Sequence, residues 1–366
     1  MSKIVLKEGR LPVRAAVTGT ALAALMYLAG PGCRKTEIPV VLLNGFQQTN
    51  LVSDVPGWAA RTDTALVNPW GIAEAPSGPI WISDNGTGLS SILNNAGALL
   101  RPPVTIPTPD DSVGGTPTGI VFNNTSDFSF MVNKQKVASK FIFATEDGII
   151  AAWGGGNGAS VAADQSWANA VYKGLALAQD GGNNFLYATN FHEGRIDVFD
   201  KNFQLVTGKP FHDPAIPHGF APFNIRLIGS WLYVTYAKQK GPENKDDDAG
   251  FGNGFVDIFK TDGSLVKRFA TRGALNSPWG IVQASEHVGN GMENAILIGN
   301  FGDGRINVYD DDGRWVGPLK DNGRPISIDG LWSLENNLPA TDSSRLYFTA
   351  GPQDESHGLF GYLQRR

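Results

Sequence analysis

Acidic and amide side chains recur in this chain beside glycines: Asp84-Asn85-Gly86, Glu146-Asp147-Gly148, Asn190-Phe191-His192-Glu193-Gly194 and Asn300-Phe301-Gly302-Asp303-Gly304. Tyr236 and Asp354 follow comparable apolar runs. Oxygen donors gathered around one point would suit a hard cation such as Ca²⁺, which takes about 6–8 oxygen ligands. A cation held in this way could polarise a carbonyl oxygen for hydrolysis. The same residues also have a local use. Asp-Asn-Gly and Gly-Asp-Gly form turns through side-chain bonds to their own backbone and through positive φ. A turn accounts for each residue singly; only convergence would make a site.

Other chemistries find less support. The five histidines, His192, His212, His218, His287 and His357, include no His-x-x-x-His pair of the kind that binds zinc. No Gly-x-Ser-x-Gly elbow marks a serine hydrolase. The glycine run 154–158 lacks the Lys-Ser/Thr of a phosphate loop. Lys245-Asp246-Asp247-Asp248 lies in a long insertion without EF-hand spacing and is read as a solvated acidic loop.

A repeat must position these residues. Asn68-Pro69-Trp70-Gly71-Ile72 returns as Ser277-Pro278-Trp279-Gly280-Ile281, with weaker copies between and after them. With Gly71, Gly119, Gly174, Asn224, Gly280 and Gly330 as markers, the steps are 48, 55, 50, 56 and 50 residues. Such a period, carried by strand-rich units, indicates a β-propeller. In each unit a short apolar strand opens at the marker. A second strand rich in aromatic and β-branched residues follows, such as Trp231-Leu232-Tyr233-Val234. The third alternates, as in Arg195-Ile196-Asp197-Val198-Phe199. Asp262-Gly263 and Asp312-Gly313 then supply tight turns. The sixth unit shows only three strands before the chain ends. The spare strand around Gln47 to Ser53 is expected to complete it and close the ring. The fold class is therefore an all-β, six-bladed β-propeller with four-stranded blades, over residues 46–366.

In a propeller the loops entering first strands share one face with the loops joining second to third strands. That face is expected to carry the ligand-binding set Glu146, Asp147, Asn190, His192, Tyr236, Asn300 and Asp303. Trp70 and Trp279, in matched positions, are expected to fill gaps between neighbouring blades, because a repeating unit repeats its packing contacts. A ligand site would more naturally break the symmetry.

Several segments together resemble an uncharacterised family of exported bacterial propellers. They include Pro69-Trp70-Gly71, Ala221-Pro222-Phe223-Asn224-Ile225, Gly299-Asn300-Phe301-Gly302-Asp303-Gly304 and Asp329-Gly330-Leu331-Trp332. The blades are similar to NHL-type repeats, whose Gly-Arg-Ile strand stands here at Gly194-Arg195-Ile196 and Gly304-Arg305-Ile306. The resemblance spans about residues 50–363. It implies the fold and an export route but no established activity. Six-bladed lactonases with a channel ion are a comparison of fold only.

Composition bounds the partners. The 366 residues include 45 glycines and 22 prolines, and the net charge of −5 argues against a nucleic-acid footprint, which would need a clustered basic face. Residues 1–33 read as an export signal, with Lys3, Lys7, Arg10 and Arg14 ahead of an apolar stretch. Cys33, the only cysteine, follows Gly30-Pro31-Gly32 in what looks like a lipoprotein cleavage box and is the expected lipidation site. Residues 34–45 are expected to be a linker. The mature domain then has no thiol nucleophile and no internal disulfide.

These readings favour an exported, non-enzymatic binding scaffold, periplasmic or at the cell surface. It would meet the membrane only through a lipid on Cys33 and bind a small molecule, glycan or protein, without a cofactor. The alternative is a Ca²⁺-dependent hydrolase or lactonase at the channel mouth.

Overall fold

A computed structural model describes residues 43–366 apart from Ser77, Asn133, Asn290, Glu293, Asn337, Ala340 and Thr341. The expected export signal, Cys33 and most of the expected linker lie outside the described residues. Six antiparallel sheets surround a channel as the blades of a propeller. Their inner strands are Pro69–Glu74, Pro117–Phe122, Tyr172–Asp180, Phe220–Ile228, Pro278–Gln283 and Leu331–Glu335.

The last blade is built from both ends of the described chain. Leu331–Glu335, Arg345–Ala350 and Leu359–Arg365 supply three strands, and Phe46–Ser53 adds the fourth. The register runs from Phe46 opposite Arg365 to Ser53 opposite Leu359. This is the closure that the strand count predicts; it pairs a sheet edge that would otherwise stay open. Arg61–Thr62 then pairs in parallel with the end of the closing strand. Leu43, just ahead of it, is fully buried in the same apolar cluster as Leu319 and Ile326.

Each sheet packs on both faces against its neighbours, so central strands such as Ile149–Trp153 are buried throughout. The Asp-Gly turns behave as read, with φ of 88° at Gly263 and 92° at Gly313. Two features escape the repeat. A hairpin, Ser129–Val132 with Gln135–Ala138, interrupts the second blade. The marker of the sixth blade is Ser333 rather than Gly330. Ser333 N bonds Thr349 Oγ1, as Gly174 N bonds Thr189 Oγ1 and Asn224 N bonds Thr235 Oγ1. Serine serves there because the position needs a small side chain rather than a positive φ.

That need is steric. A Cβ on Gly71 would lie 2.6 Å from the Thr118 carbonyl oxygen, and one on Gly119 would lie 2.6 Å from Leu175 N. One on Gly280 would lie 2.7 Å from the Trp332 carbonyl oxygen. The inner strands therefore touch their neighbours around the ring. Threonine hydroxyls tie them across the blade junctions: Thr118 donates to Tyr172 O, Thr189 to Phe223 O and Thr349 to Trp70 O.

Gly119→Ala should lower stability by about 1–3 kcal/mol through overpacking against backbone that cannot step aside. Urea titration of the variant checks this; an unchanged midpoint would show that the inner strands are free to separate.

Candidate ligand-binding face

The contact ring narrows the channel to a waist. The void there is only about 20 Å³, lined by Gly71, Gly119, Asn224 and Ser333 among others. That is room for roughly one water. On the far side of the waist the channel widens to a funnel of about 350 Å³. Arg226 and Glu335 form a two-pronged ion pair across it. On the loop side, the residues just before the small markers are Trp70, Thr118, Lys173, Phe223, Trp279 and Trp332.

These aromatics plug the mouth. Trp70 stacks on Trp332 with ring centroids 3.4 Å apart, and Phe301 stacks on Trp332 at 4.0 Å. Trp279 stands edge-on to both indoles, at 5.7 Å and 5.8 Å. Trp70 and Trp279 thus meet over the channel with Trp332 beside them, instead of filling separate gaps between neighbouring blades.

Lys173 breaks the apolar pattern. Its ammonium is buried, 4.9 Å from the Trp70 ring centre and 2.5 Å from Glu146 Oε1. Burial works against charge on both partners. The Lys173 charge nevertheless holds the Glu146 carboxyl below its ordinary value, and Glu146 holds the ammonium above its own. Asn85 Nδ2 donates to the other Glu146 oxygen at 3.0 Å. Asn68 extends the network: its amide donates to Asn85 and to Glu355 Oε2, and its oxygen accepts from the Trp332 indole.

The insertion after Trp231–Lys238 covers this mouth. Gln239 Nε2 donates to Phe191 O at 2.6 Å, and Gly250 N donates to Asn276 Oδ1 at 2.7 Å, so both flanks are tied down. Asp247 sits between them with Ser277 and Lys173 as neighbours, and burial pushes its carboxyl up. Burial likewise pushes Glu355 up. Trp70 Nε1 and Trp279 Nε1 are buried without a hydrogen-bond partner from the protein, while the Ser277 hydroxyl bonds the Asp247 carboxylate.

A second, open concavity lies on the same face between the third and fourth blades. This cleft of about 480 Å³ is lined by His192, His212, His218, Tyr236, Gln239 and Asn244, among others. His192 Nδ1 donates to Glu243 O at 2.9 Å, which leaves Nε2 as the ring acceptor. Behind the cleft, Arg268 bridges Asp213 and Asp257. Burial, only partly offset by Arg268, pushes Asp257 up to about 6. Burial also pushes Tyr236 up, reinforced by Asp257, and keeps it a neutral phenol.

The seven expected site residues therefore separate. Glu146 lies at the channel mouth, and His192 and Tyr236 line the cleft. Asp147 Oδ2 is engaged by Thr116 N and Oγ1 at 2.7 Å and 2.8 Å. Asn190 donates to Asp197 at 2.9 Å and braces its own turn. Asn300 donates to Ala274 O and to Asp303, which also accepts from Arg305 N. These four work as turn residues. Among the described residues, no three His, Cys, Asp or Glu side chains are grouped to hold a metal ion. Lys173, Glu355, Asn68 and Ser277 are mouth residues that sequence reasoning did not weigh, and Asp247, read as part of a solvated acidic loop, turns its carboxylate into the same buried mouth. The readable signal was Lys173, a cation in a position that three blades fill with tryptophan.

No family model matches the chain. It is 34% identical over 323 residues to the uncharacterized protein R648 of Acanthamoeba polyphaga mimivirus, covering 86% of this chain and 78% of that protein. The chain belongs to the family of that viral protein. Among solved structures it resembles a candidate gluconolactonase, with TM-score 0.54 and 14% identity over 88% of this chain and 93% of the other. It also resembles a streptogramin B lyase, with TM-score 0.51 and 14% identity over 88% and 97%. At such identities the likeness is one of fold alone: a six-bladed propeller.

Two outcomes test the electrostatics. Lys173→Met should cost about 3–5 kcal/mol, because it leaves Glu146 buried without its counter-charge. The double variant Lys173→Met/Glu146→Leu should recover much of that loss in thermal unfolding. The raised Asp257 favours its protonated form in the folded state. Its contribution is therefore full below about pH 4 and lost as pH rises through about 6, a change of roughly 2–3 kcal/mol. Stability curves of the native protein and Asp257→Asn, measured across that window, should converge toward low pH and separate above it.

Proposed function

We propose that the protein is an exported binding scaffold that takes a small molecule or glycan in the cleft between its third and fourth blades. The observation that carries this reading is the cleft itself, open and of about 480 Å³, with His192, His212, His218 and Tyr236 in its walls. Ligand sites are concave, of a few hundred Å³, with a small number of placed polar groups. Gln239 is held by backbone carbonyls and His192 by Glu243 O, so part of the wall is pre-organised. The net charge of −5 supports a partner other than nucleic acid.

Export rests on the sequence alone: the basic start, the apolar stretch and Cys33. In this reading the lipid on Cys33 holds the propeller at a membrane surface, periplasmic or cell-surface, with the loop face free.

A thermal-shift screen of small molecules and glycans should find ligands whose affinity falls about 2–13-fold in Tyr236→Phe or His192→Ala, the worth of one lost hydrogen bond. Binders indifferent to both variants would move the site elsewhere, and a screen without binders would count against a scaffold for small ligands. For the anchor, Cys33→Ala should release the protein from the membrane fraction, with a matching loss of lipid mass. Unchanged partitioning and mass would contradict lipidation. One acyl chain binds only marginally, so more than one is expected.

A further inference from the structure

We propose that the hairpin inserted in the second blade docks the protein on an anionic lipid surface, with Met131 reaching toward the acyl chains and Lys134, Lys136 and Lys140 meeting the headgroups. The hairpin alone carries this docking; it needs neither the lipid on Cys33 nor the cleft.

The hairpin, Ser129–Val132 with Gln135–Ala138, lies outside the four strands that complete its blade. Its two sides differ. Phe130 stands opposite Val137, and both pack with Val132 into the apolar cluster of the second and third blades. Phe128, just ahead, is fully buried, and its N–H donates to Lys201 O at 3.0 Å. The other side is thereby held outward. It carries Met131 opposite Lys136, since cross-strand partners share a side of a sheet. Met131 is 62% exposed, and Lys134 at the turn, Lys136 and Lys140 are exposed as well. Lys140 Nζ and the Arg101 guanidinium both lie over the Trp153 ring, 6.0 Å and 5.5 Å from its centre. The hairpin joins a first strand to a second, and the turns bearing Arg101 and Lys201 join third strands to fourth. All of them therefore open at the blade ends opposite the loop face, so docking there leaves the cleft turned to solvent.

In a chain of net charge −5 this is a local excess of cations. Among the described residues, none of Lys134, Lys136, Lys140 and Lys201 takes part in an ion pair. The neighbouring acids are occupied: Asp127 accepts from Asn184, Asp200 braces its own turn, and Asp180 pairs with Lys209. Lysines on a free strand edge also deter pairing with another chain. That role has no use for a methionine exposed between them. A long apolar side chain flanked by ammonium groups suits the boundary of a bilayer, where apolar atoms sink in and cations meet anionic phosphates. A nucleic acid offers the same phosphates but no apolar layer for Met131.

Vesicles of equimolar phosphatidylglycerol and phosphatidylcholine test this on the full chain, with pure phosphatidylcholine as the neutral reference. Cys33 is the only cysteine, so Cys33→Ala with Met131→Cys gives a single thiol for a polarity-sensitive dye. Its emission should shift to the blue on the anionic vesicles and return when salt is added. Lys134→Gln/Lys136→Gln should weaken binding about 30-fold, from roughly fivefold per lysine. Lys260→Gln/Lys267→Gln, the same charge change on the fourth blade, should leave binding in place, and unchanged thermal unfolding shows that both variants are folded. An unshifted dye, an equal loss in both double variants, or equal binding to the neutral vesicles would overturn the docking. A stronger dye response to duplex DNA than to the anionic vesicles would assign the patch to nucleic acid and overturn it too.

Discussion

The structure depends on how closely six inner strands can approach one another around a channel. At Gly71, Gly119 and Gly280 a single added methyl carbon would come within 2.6–2.7 Å of the next blade's backbone. Interiors pack too densely to absorb such a carbon without a shift. Asn224 and Ser333 fill the same ring position with short polar side chains, and Asn224 uses its amide to reach the Trp279 carbonyl at 2.7 Å. Small size at these points lets the threonine hydroxyls bridge the blades. The narrow waist follows from this close approach of the inner strands.

The closed waist decides where polar chemistry can occur. Of the six residues just before the ring positions, Trp70, Phe223, Trp279 and Trp332 are aromatic and pack together in the mouth, while Thr118 bonds Tyr172 O across its blade junction. Lys173 is the one charged residue among them, and a buried ammonium is tolerable only beside a carboxylate. Glu146 supplies it, steadied by Asn85 and, through Asn68, by Glu355. The insertion of the fourth blade then shields the mouth and at the same time forms one wall of the neighbouring cleft through Gln239 and Asn244. The loop face thus carries a closed polar centre and an open concavity, both positioned by blades that cannot move independently.

The repeat made the architecture legible. Its period, the aromatic second strands and the spare strand near residue 50 anticipated the closure by Phe46–Ser53. The sixth marker misled because Gly330 resembles the others in type, whereas Ser333 occupies the steric position. The hairpin in the second blade left no mark on the period beyond a longer step. The site was less legible because Asp147, Asn190, Asn300 and Asp303 satisfy their turns, as residues of their types do wherever turns occur. Convergence of Lys173, Asp247 and Glu355 depends on loops distant in sequence, which no local pattern encodes. Lys173 alone betrayed itself by interrupting a repeat.

The central claim is that the ring of small residues closes the channel and leaves binding to the loop face. A high-resolution crystal structure that locates ordered water tests it most directly. The account predicts about one water at the waist, matching a void of about 20 Å³, with no continuous file between the mouth and the funnel. An unbroken column of water running from the Trp70–Trp279 mouth to the Arg226–Glu335 funnel would contradict it.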